Sequence, residues 1–272
     1  MSIHVTAVVD PAAELGENVT VGPGAVIGRD VVIGDGTCIE PHVVVEPGTR
    51  IGRECSIRTG AVLGGPPQDH KFRGERSLLI IGDRNTIREF VTIHRATGED
   101  NTTFIGDDNL IMAYCHIGHN CQLGSGIMMA NQVGVSGHVV IEDKVVFGGM
   151  VGVHQYVRIG TLAMVGGFSK IVQDVPPYMM ADGRPGRVYG LNILGLRRHG
   201  LASSVRAGLK QAYKFLYRSD MNLSQAIEAI ENEIEVSPER DYLLNFLNNV
   251  RVGFGGRQND PSRAKSRGEQ GG

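Results

Sequence analysis

The stretch VGPGAVIGRDVVIGDGTCIE, residues 21–40, repeats one pattern every six residues. An aliphatic residue stands at Val21, Ile27, Ile33 and Ile39, and a glycine follows each of the first three. A period of six fits neither an α-helix nor an alternating two-sheet sandwich, so it marks a repeat architecture. The aliphatic register recurs at twenty-five positions, spread over residues 9–63, 81–93 and 105–171.

The residue two places before each aliphatic position is also small or β-branched, as the narrow interior of a coil requires. This pattern predicts a parallel β-helix whose flat sides are short strands joined by tight turns. Three hexads per coil place residue i beneath residue i+18, at a spacing of roughly 4.8 Å. The small inward residues include Val19, Ala25, Val31, Thr37, Val43, Cys55, Cys115 and Cys121.

Composition excludes several classes of protein. The chain has 272 residues, 38 of them glycine and none tryptophan, and its formal net charge is −2. That charge gives no electrostatic reason to expect nucleic acid or an anionic membrane as a partner. No apolar run approaches the roughly 18 residues of a membrane span, and the first residues do not resemble a secretion signal. Four cysteines without framework spacing suit a reducing compartment, so we expect a cytoplasmic protein.

Breaks in the period predict the domain organisation. We expect polar excursion loops at about residues 64–80 and 94–104, on a coil that occupies residues 1–180. The apolar spacing then becomes helical, which predicts an α-helical domain over residues 181–252. The tail, residues 253–272, is rich in glycine and charge, and we expect it to be disordered.

Stacking by eighteen residues brings distant polar side chains to one edge of the coil. Gly137 falls above His119, and Gln155 falls above Gly137. Four of the nine histidines lie in this column or beside it, which is the strongest indication of a site in the sequence. The residues that the stacking gathers are His116, His119, Gly137, His138, His154 and Gln155.

Three interpretations of this cluster remain open at the level of the residues. Corner positions of a coil face solvent and accept polar side chains without any function. A zinc site needs three nitrogen or sulfur ligands around one point, but Cys115 and Cys121 fall at inward positions. Acyl transfer to a hydroxyl group needs a base, which His119 can supply, and an oxyanion donor, which the Gly137 N–H can supply.

Several motifs, in order, resemble the hexapeptide-repeat acyltransferases, and among them the UDP-N-acetylglucosamine 3-O-acyltransferases of lipid A biosynthesis. The resemblance covers residues 1 to about 250. It implies a mainly β fold, a left-handed parallel β-helix with a C-terminal α-helical domain, assembled as a homotrimer. The motifs are GGPPQDHKFRGE (64–75), HIGHN (116–120), GVSGHV (134–139), FGGMVGVHQ (147–155) and VGGFSKIVQDVPPY (165–178).

The resemblance also implies the reaction and the roles of single residues. An (R)-3-hydroxyacyl chain would pass from acyl carrier protein to the 3-hydroxyl of UDP-N-acetylglucosamine, with His119 as general base and the Gly137 N–H as oxyanion donor. No metal or cofactor is expected. Gly167 would limit the length of the acyl chain. The substrate-binding residues would be Gln68, Asp69, Lys71, His116, His138, His154, Gln155, Asn192 and Arg198.

The chain departs from the family pattern at Asn120, Leu194, Pro185 and His199, where we expect changes in detail and not in the reaction. Two alternatives stand beside it. A related N-acyltransferase of the same pathway would need an N-terminal uridine-binding domain, whereas the hexads here begin by Val9. A zinc protein similar to the γ-class carbonic anhydrases would use the histidines as ligands.

Overall fold

The computed structural model describes residues 1–253 and 255–261. Short strands dominate the chain because each flat side of the coil holds only the outward residue and the inward aliphatic residue of one hexad. The first strands are β1 (Ser2–Ile3), β2 (Val8–Val9), β3 (Glu14–Leu15), β4 (Thr20–Val21), β5 (Val26–Ile27), β6 (Val32–Ile33), β7 (Cys38–Ile39), β8 (Val44–Val45), β9 (Thr49–Ile51), β10 (Ser56–Ile57), β11 (Val62–Gly65), β12 (Leu78–Ile81), β13 (Thr86–Ile87) and β14 (Thr92–His94). The later strands are β15 (Thr102–Ile105), β16 (Leu110–Ile111), β17 (His116–Ile117), β18 (Gln122–Leu123), β19 (Met128–Met129), β20 (Gly134–Val135), β21 (Val140–Ile141), β22 (Val146–Phe147), β23 (Gly152–Val153), β24 (Arg158–Ile159), β25 (Met164–Val165), β26 (Lys170–Ile171), β27 (Met179–Gly183) and β28 (Gly186–Leu191).

Every third strand pairs in parallel, which builds three long sheets around one axis. The first sheet runs from β1 to β25 and ends in β27 and β28, the second runs from β2 to β26, and the third from β3 to β24. The register pairs His116 with Gly134 and Gly134 with Gly152, as the spacing of eighteen predicts. The sequence prediction of a coil of hexapeptide repeats is therefore confirmed.

The two excursions leave the register intact because each adds a multiple of six residues to its coil. Ile81 pairs with Ile51, thirty residues earlier, and with Ile105, twenty-four residues later. The loops therefore add twelve and six residues to their coils. The excursions are shorter than predicted, covering residues 66–77 and 95–101, because the residues that flank them continue the strand pairing.

The interior is aliphatic but also holds a short polar ladder. The predicted inward residues are buried, with the strand residues from β4 onward at most 3% exposed over most of the coil. Asn85 and Asn109 are also buried, one coil apart, and Asn109 N donates to Asn85 Oδ1 at 3.0 Å. Their amides also donate to the Gly106 and Gly124 carbonyls, so these buried polar groups are paired.

One corner is held together by side-chain acceptors. At the end of five of the eight strands of the third sheet, a side-chain oxygen accepts the backbone N–H of the corner residue one coil below it. Asp35 accepts from Glu17, and Asp143 accepts from Ser125, both at 2.8 Å. We name this the carboxylate corner, defined by Asp35, Asp83, Asp107, Ser125 and Asp143.

The C-terminal part covers the open end of the coil. The predicted boundary at residue 180 falls inside β27, which continues the first sheet and turns back as the antiparallel strand β28. Covering the last strands of the coil removes an exposed sheet edge. Four helices follow: α1 (Ile193–Arg198), α2 (Ser203–Tyr217), α3 (Leu223–Glu233) and α4 (Pro238–Val252). None of the helices in the described ranges is long and apolar enough to cross a membrane.

The predicted disordered tail needs a correction in the part that the structure describes. Residues Gly256–Asn259 form a 3₁₀ helix that packs on the last coil. Arg257 N donates to Asp174 Oδ1 at 2.9 Å, and Asp260 is 2% exposed and ion-paired with Arg257. These contacts supply the partners that a count of charge and glycine does not reveal. Residues 254 and 262–272 lie outside the described residues.

Candidate active site

Three residues at the end of the second-sheet strands stack in one column. His119, Gly137 and Gln155 follow strands β17, β20 and β23 at the same hexad position. The coils are tied by backbone bonds from His138 N to His119 O at 3.0 Å and from Tyr156 N to Gly137 O at 3.2 Å. We call this the histidine corner, defined by these three residues and by Asn120, His138 and Tyr156 beside them.

Aromatic contacts stiffen the histidine corner. The rings of His119 and His138 meet edge to face with centroids 5.1 Å apart, and His138 stacks on Tyr156 at 4.6 Å. Burial lowers the pKa of His138, and the neighbouring His119 lowers it further. His138 therefore favours its neutral form, in which it can donate or accept a hydrogen bond.

His116 lies on the outer face of the second sheet, next to this corner. Its Nδ1 is 2.8 Å from Thr92 Oγ1, and its ring meets His94 with centroids 5.2 Å apart. Burial, and then the neighbouring histidines His94 and His119, lowers the pKa of His116 to about 4. His116 is therefore neutral at physiological pH.

Gly137 permits a close approach that no other residue allows. A Cβ on Gly137 would lie 2.7 Å from both Nε2 and Cε1 of His119, well inside van der Waals contact. Among the hydrogen bonds of residues 1–253 and 255–261, none uses the N–H of Gly137. A bare Cα therefore lies opposite the imidazole, and the N–H of the same residue has no partner among the described residues.

The imidazole opens into a cavity of about 530 Å³ on the outer face of the second sheet. Gly134 and Gly152 form its floor, and a Cβ on either would meet no atom within 4 Å. Lys170 continues this column one coil further on. Sequence reasoning missed these three residues and His94, although two glycines eighteen residues apart at an outward strand position are a signal of an open face. The predicted residues that line the cavity are Gln68, His116, His119, Gly137, His154 and Gln155.

The first excursion brings charge to the same corner. Asp69 and Lys71 both act electrostatically on His138, so the loop lies close to the histidines. Asp69 Oδ1 accepts the Lys71 N–H at 3.0 Å, which shapes the turn that carries them. The structure therefore brings these two predicted residues near the site, although neither lines the cavity.

Three predicted residues lie elsewhere in the chain. Asn192 is 7% exposed and begins α1, where its amide donates to Leu162 O and accepts from Gly195 N. Arg198 ends the same helix and is exposed. Gly167 is exposed on the adjacent corner, where a Cβ would lie 3.2 Å from Gly149 O. None of the three lines the cavity beside His119.

Comparison with known proteins gives a consistent result. The bacterial transferase hexapeptide family matches residues 30–65 and 102–137, and domain 2 of the Udp N-acetylglucosamine O-acyltransferase family matches residues 174–254. Acyl-[acyl-carrier-protein]–UDP-N-acetylglucosamine O-acyltransferases from Verminephrobacter eiseniae and Burkholderia orbicola are 53% and 50% identical, covering 84% and 90% of this chain and 88% and 94% of theirs. The chain belongs to the UDP-N-acetylglucosamine O-acyltransferase family.

Solved structures of UDP-N-acetylglucosamine O-acyltransferases agree with the fold. The structure of LpxA from Acinetobacter baumannii has a TM-score of 0.88 at 44% identity, covering 91% of this chain and 96% of that one. LpxA from Moraxella catarrhalis has a TM-score of 0.89 at 40% identity, covering 92% and 97%. Both the coil and the C-terminal helices are therefore features of the family.

In this member of the UDP-N-acetylglucosamine O-acyltransferase family, the cysteines near the site are interior residues. Cys115 and Cys121 are at most 1% exposed, and burial raises the pKa of their thiols to about 11 and about 12. Neutral buried thiols are poor nucleophiles and poor metal ligands. Over residues 1–253 and 255–261, no three His, Cys, Asp or Glu side chains converge as a metal site.

Proposed function

We propose that this protein transfers an (R)-3-hydroxyacyl chain from acyl carrier protein to the 3-hydroxyl of UDP-N-acetylglucosamine, the first step of lipid A biosynthesis. The observation that carries the proposal is the free Gly137 N–H beside the His119 imidazole at the mouth of the cavity. A base and an oxyanion donor at one point are what acyl transfer to a hydroxyl requires. The names of the relatives favour this O-transfer over the N-acyl alternative.

The proposed reaction proceeds through one tetrahedral intermediate. His119 removes the proton of the sugar 3-hydroxyl while that oxygen attacks the thioester carbonyl carbon. The Gly137 N–H donates to the oxyanion that forms. The intermediate then collapses, the carbon–sulfur bond breaks, and the imidazolium of His119 returns its proton to the departing thiolate of the carrier protein.

The lowered pKa values of His116 and His138 suit a role in holding an uncharged sugar. His116, His138, His154 and Gln155 surround His119, and such groups can both donate to and accept from hydroxyl groups. In this proposal Gln68, Asp69 and Lys71 bind the nucleotide sugar from the first excursion. Asp69 would accept from a hydroxyl, and Lys71 would pair with a phosphate.

The diphosphate end of the nucleotide is proposed to meet α1. Arg198 presents an exposed guanidinium, whose planar fork matches a diphosphate. The amide of Asn192 is already bonded to Leu162 and Gly195, so its contribution is to fix the start of the helix that carries Arg198.

The acyl chain is proposed to lie along the open face of the second sheet. Gly134 and Gly152 leave room for a methylene chain, and Gly167 borders the next corner of the coil. A side chain at Gly167 would press on Gly149 O, so substitution there costs stability as well as space. We propose Gly167 as the residue that limits chain length.

We propose a homotrimer, supported by an exposed ridge on the corner between the first and second sheets. Apolar side chains in left-handed backbone conformations occupy this position on four of five successive coils, with Gln132 between Tyr114 and Met150, and Phe90 and Tyr114 stack with centroids 5.3 Å apart. Solvent alone gives no reason for such residues at strained positions. The aromatic ridge comprises Phe90 (49% exposed), Tyr114 (59%), Met150 (48%) and Phe168 (59%).

Two further features support the proposed setting. Arg197, Arg198, Arg206 and Lys210 place positive charge around α1 and α2, which suits an acidic carrier protein. The four cysteines are free, which suits the reducing cytoplasm.

The experiment is to incubate the purified chain with UDP-N-acetylglucosamine and a series of (R)-3-hydroxyacyl carrier proteins, and to weigh the product. We expect one O-acylated nucleotide sugar, with a maximum rate at one chain length. Failure to acylate UDP-N-acetylglucosamine with any of the carrier proteins would contradict the proposal, as would one equivalent of zinc per purified chain.

A further inference from the structure

Asn120 links the proposed base to the second excursion. It follows His119 at the histidine corner, with φ of +59°. Its Oδ1 lies 2.8 Å from Nδ1 of His119 and accepts from the N–H and Oγ1 of Thr97 at 2.9 and 3.0 Å. Its Nδ2 donates to the carbonyl of Thr97 at 3.0 Å. The amide therefore makes a two-sided contact with the backbone of Thr97.

This contact permits only one orientation of the Asn120 amide. A backbone N–H can only donate and a carbonyl can only accept. If the amide turned over, its NH₂ group would face the N–H of Thr97 and its oxygen would face the carbonyl. Both bonds would be lost, and two like dipoles would be opposed.

The orientation of the amide determines which nitrogen of His119 carries the proton. Oδ1 has no hydrogen, so the Nδ1 that contacts it must be the donor. A neutral imidazole has one N–H, so Nε2 keeps a lone pair. Nε2 is the nitrogen that faces Gly137, where a Cβ would lie 2.7 Å away.

The second excursion is in turn fixed to the first. Glu75 accepts from the N–H of Gly98 at 2.9 Å and from the N–H of Arg73 at 2.8 Å. These bonds, led by the one from Gly98, lower the pKa of Glu75, so its carboxylate stays charged and keeps both bonds near neutral pH. The carbonyl of Thr97 also accepts from Asn101 Nδ2 at 2.9 Å. Thr97 is therefore held in place by contacts that do not involve His119.

We propose that the backbone of Thr97 sets the tautomer of His119 through the Asn120 amide, so that Nδ1 carries the proton and Nε2 is free to act as the base. Thr97 and Asn120 are thus positioning residues. The role of Nε2 as the base rests on the proposed function, whereas the tautomer of His119 does not.

The same geometry explains why this chain carries asparagine and not aspartate beside its base. A carboxylate at this position would direct an oxygen at the carbonyl of Thr97, with no hydrogen between them. Asparagine keeps both contacts with the loop and still presents an acceptor to Nδ1. Asn120 therefore orients the imidazole of His119 without carrying a charge.

The test is NMR of the full-length protein labelled with ¹⁵N in histidine, because ring nitrogens with and without a proton resonate far apart. His119→Gln identifies the resonances. In the wild-type protein at pH 8, we expect a protonated Nδ1 and an unprotonated Nε2 for His119. In Asn120→Leu we expect the tautomer to move toward the Nε2–H form, which a free imidazole prefers. Asn101→Leu is the matched control, because it removes the other amide donor to the same carbonyl and leaves Asn120 intact.

Kinetics give a second, separate readout. We expect Asn120→Leu to lower kcat about 10- to 100-fold, with the KM for UDP-N-acetylglucosamine within about twofold of wild type. Asn101→Leu, the matched control, leaves the contacts between Asn120 and Thr97 in place and should retain wild-type kcat. An Nε2–H tautomer in the wild-type protein would overturn the proposal whether or not any variant folds. An equal change of tautomer in Asn101→Leu would also overturn the proposal, because the tautomer would then depend on the overall order of the second excursion and not on the Asn120 amide. An inactive wild-type protein with the Nδ1–H tautomer would refute the proposed function and leave this inference standing.

Discussion

The carboxylate corner and the histidine corner occupy the same hexad position of the coil, but their backbone N–H groups differ in whether a side chain accepts from them. In the carboxylate corner, Ser125 Oγ accepts the N–H of Asp107, and Asp143 Oδ1 accepts the N–H of Ser125. In the histidine corner, the residue above Gly137 is Gln155, whose amide donates instead to Asp260 at 3.5 Å. One corner uses its N–H groups to hold the stack, whereas in the other corner no hydrogen bond of the described residues uses the N–H of Gly137. In the proposed function, the absence of an acceptor and of a side chain at this corner is what allows the same scaffold to carry out acyl transfer.

The largest effect is expected from giving the histidine corner the side chain that it lacks. In Gly137→Ala, the new Cβ would meet the imidazole of His119 at 2.7 Å, so the ring must leave its position. A base displaced by about 1 Å costs on the order of 10²-fold, and the donor geometry changes as well, so we expect kcat/KM to fall about 10³-fold or more. Gly190→Ala is the control, because a Cβ there meets nothing within 4 Å and Gly190 does not line the cavity beside His119. Activity within tenfold of wild type in Gly137→Ala would contradict this account.

The next effect is expected from copying the carboxylate corner into the histidine corner. In Gln155→Asp, the carboxylate should accept the N–H of Gly137, as Asp143 accepts that of Ser125. Losing one oxyanion donor costs about 10²- to 10³-fold in kcat, so we expect a loss of that size with the fold retained. Gln155→Ala removes the side chain without capping the N–H and should lose no more than about tenfold. Equal losses in both variants would show that capping is not the cause.

A contact at these corners could be predicted from the sequence only where strand register alone brings the two residues together. The period of six identified the inward residues, and the spacing of eighteen placed Gly137 and Gln155 over His119, because these contacts follow from strand register alone. The bond between Thr97 and Asn120 depends on the path of an excursion, for which no period exists. The burial of Asn85 was not predicted because its partner is the backbone carbonyl of Gly106, and every residue carries such a carbonyl.

The C-terminal helices also show which features the sequence can predict and which it cannot. The helical spacing predicted an α-helical domain. In the structure, Leu209 and Ala212 are buried on α2, and Asn222 and Ser237 cap α3 and α4. The role of Asn192 as the cap of α1 was not predicted, because a six-residue helix has too few turns to show a period.

A pH-dependent effect on stability is expected from the buried His116. The pKa of His116 is lowered from its usual 6.5 to about 4, so between these values the unfolded chain binds a proton that the folded chain does not. Stability is therefore full above pH 6.5 and falls as the pH drops toward 4. For this partly exposed side chain we expect a loss of about 1–2 kcal/mol from this group. Urea unfolding at pH 7 and pH 4.5, at one protein concentration, should show a larger loss in wild type than in His116→Asn. The exposed His4→Asn serves as the control, and equal losses in wild type and His116→Asn would contradict the prediction.

The smallest effect is expected at the carboxylate corner. Ser125→Ala removes the acceptor for the N–H of Asp107, which should cost about 0.5–1.5 kcal/mol in the free energy of unfolding. Because Ser125 lies on another corner of the coil, kcat and KM should not change. Urea unfolding and steady-state kinetics on the same preparation check both statements. A loss of activity without a loss of stability would contradict the claim that the carboxylate corner only stabilises the coil.

The most direct test of the central claim is the rate of acyl transfer by His119→Ala, measured on protein whose oligomeric state and unfolding transition match those of wild type. If His119 is the base at the histidine corner, kcat should fall by about 10³-fold or more, because general base catalysis contributes about 10²- to 10⁴-fold. Retention of a tenth of the wild-type rate would contradict the claim that this imidazole removes the proton of the acceptor hydroxyl.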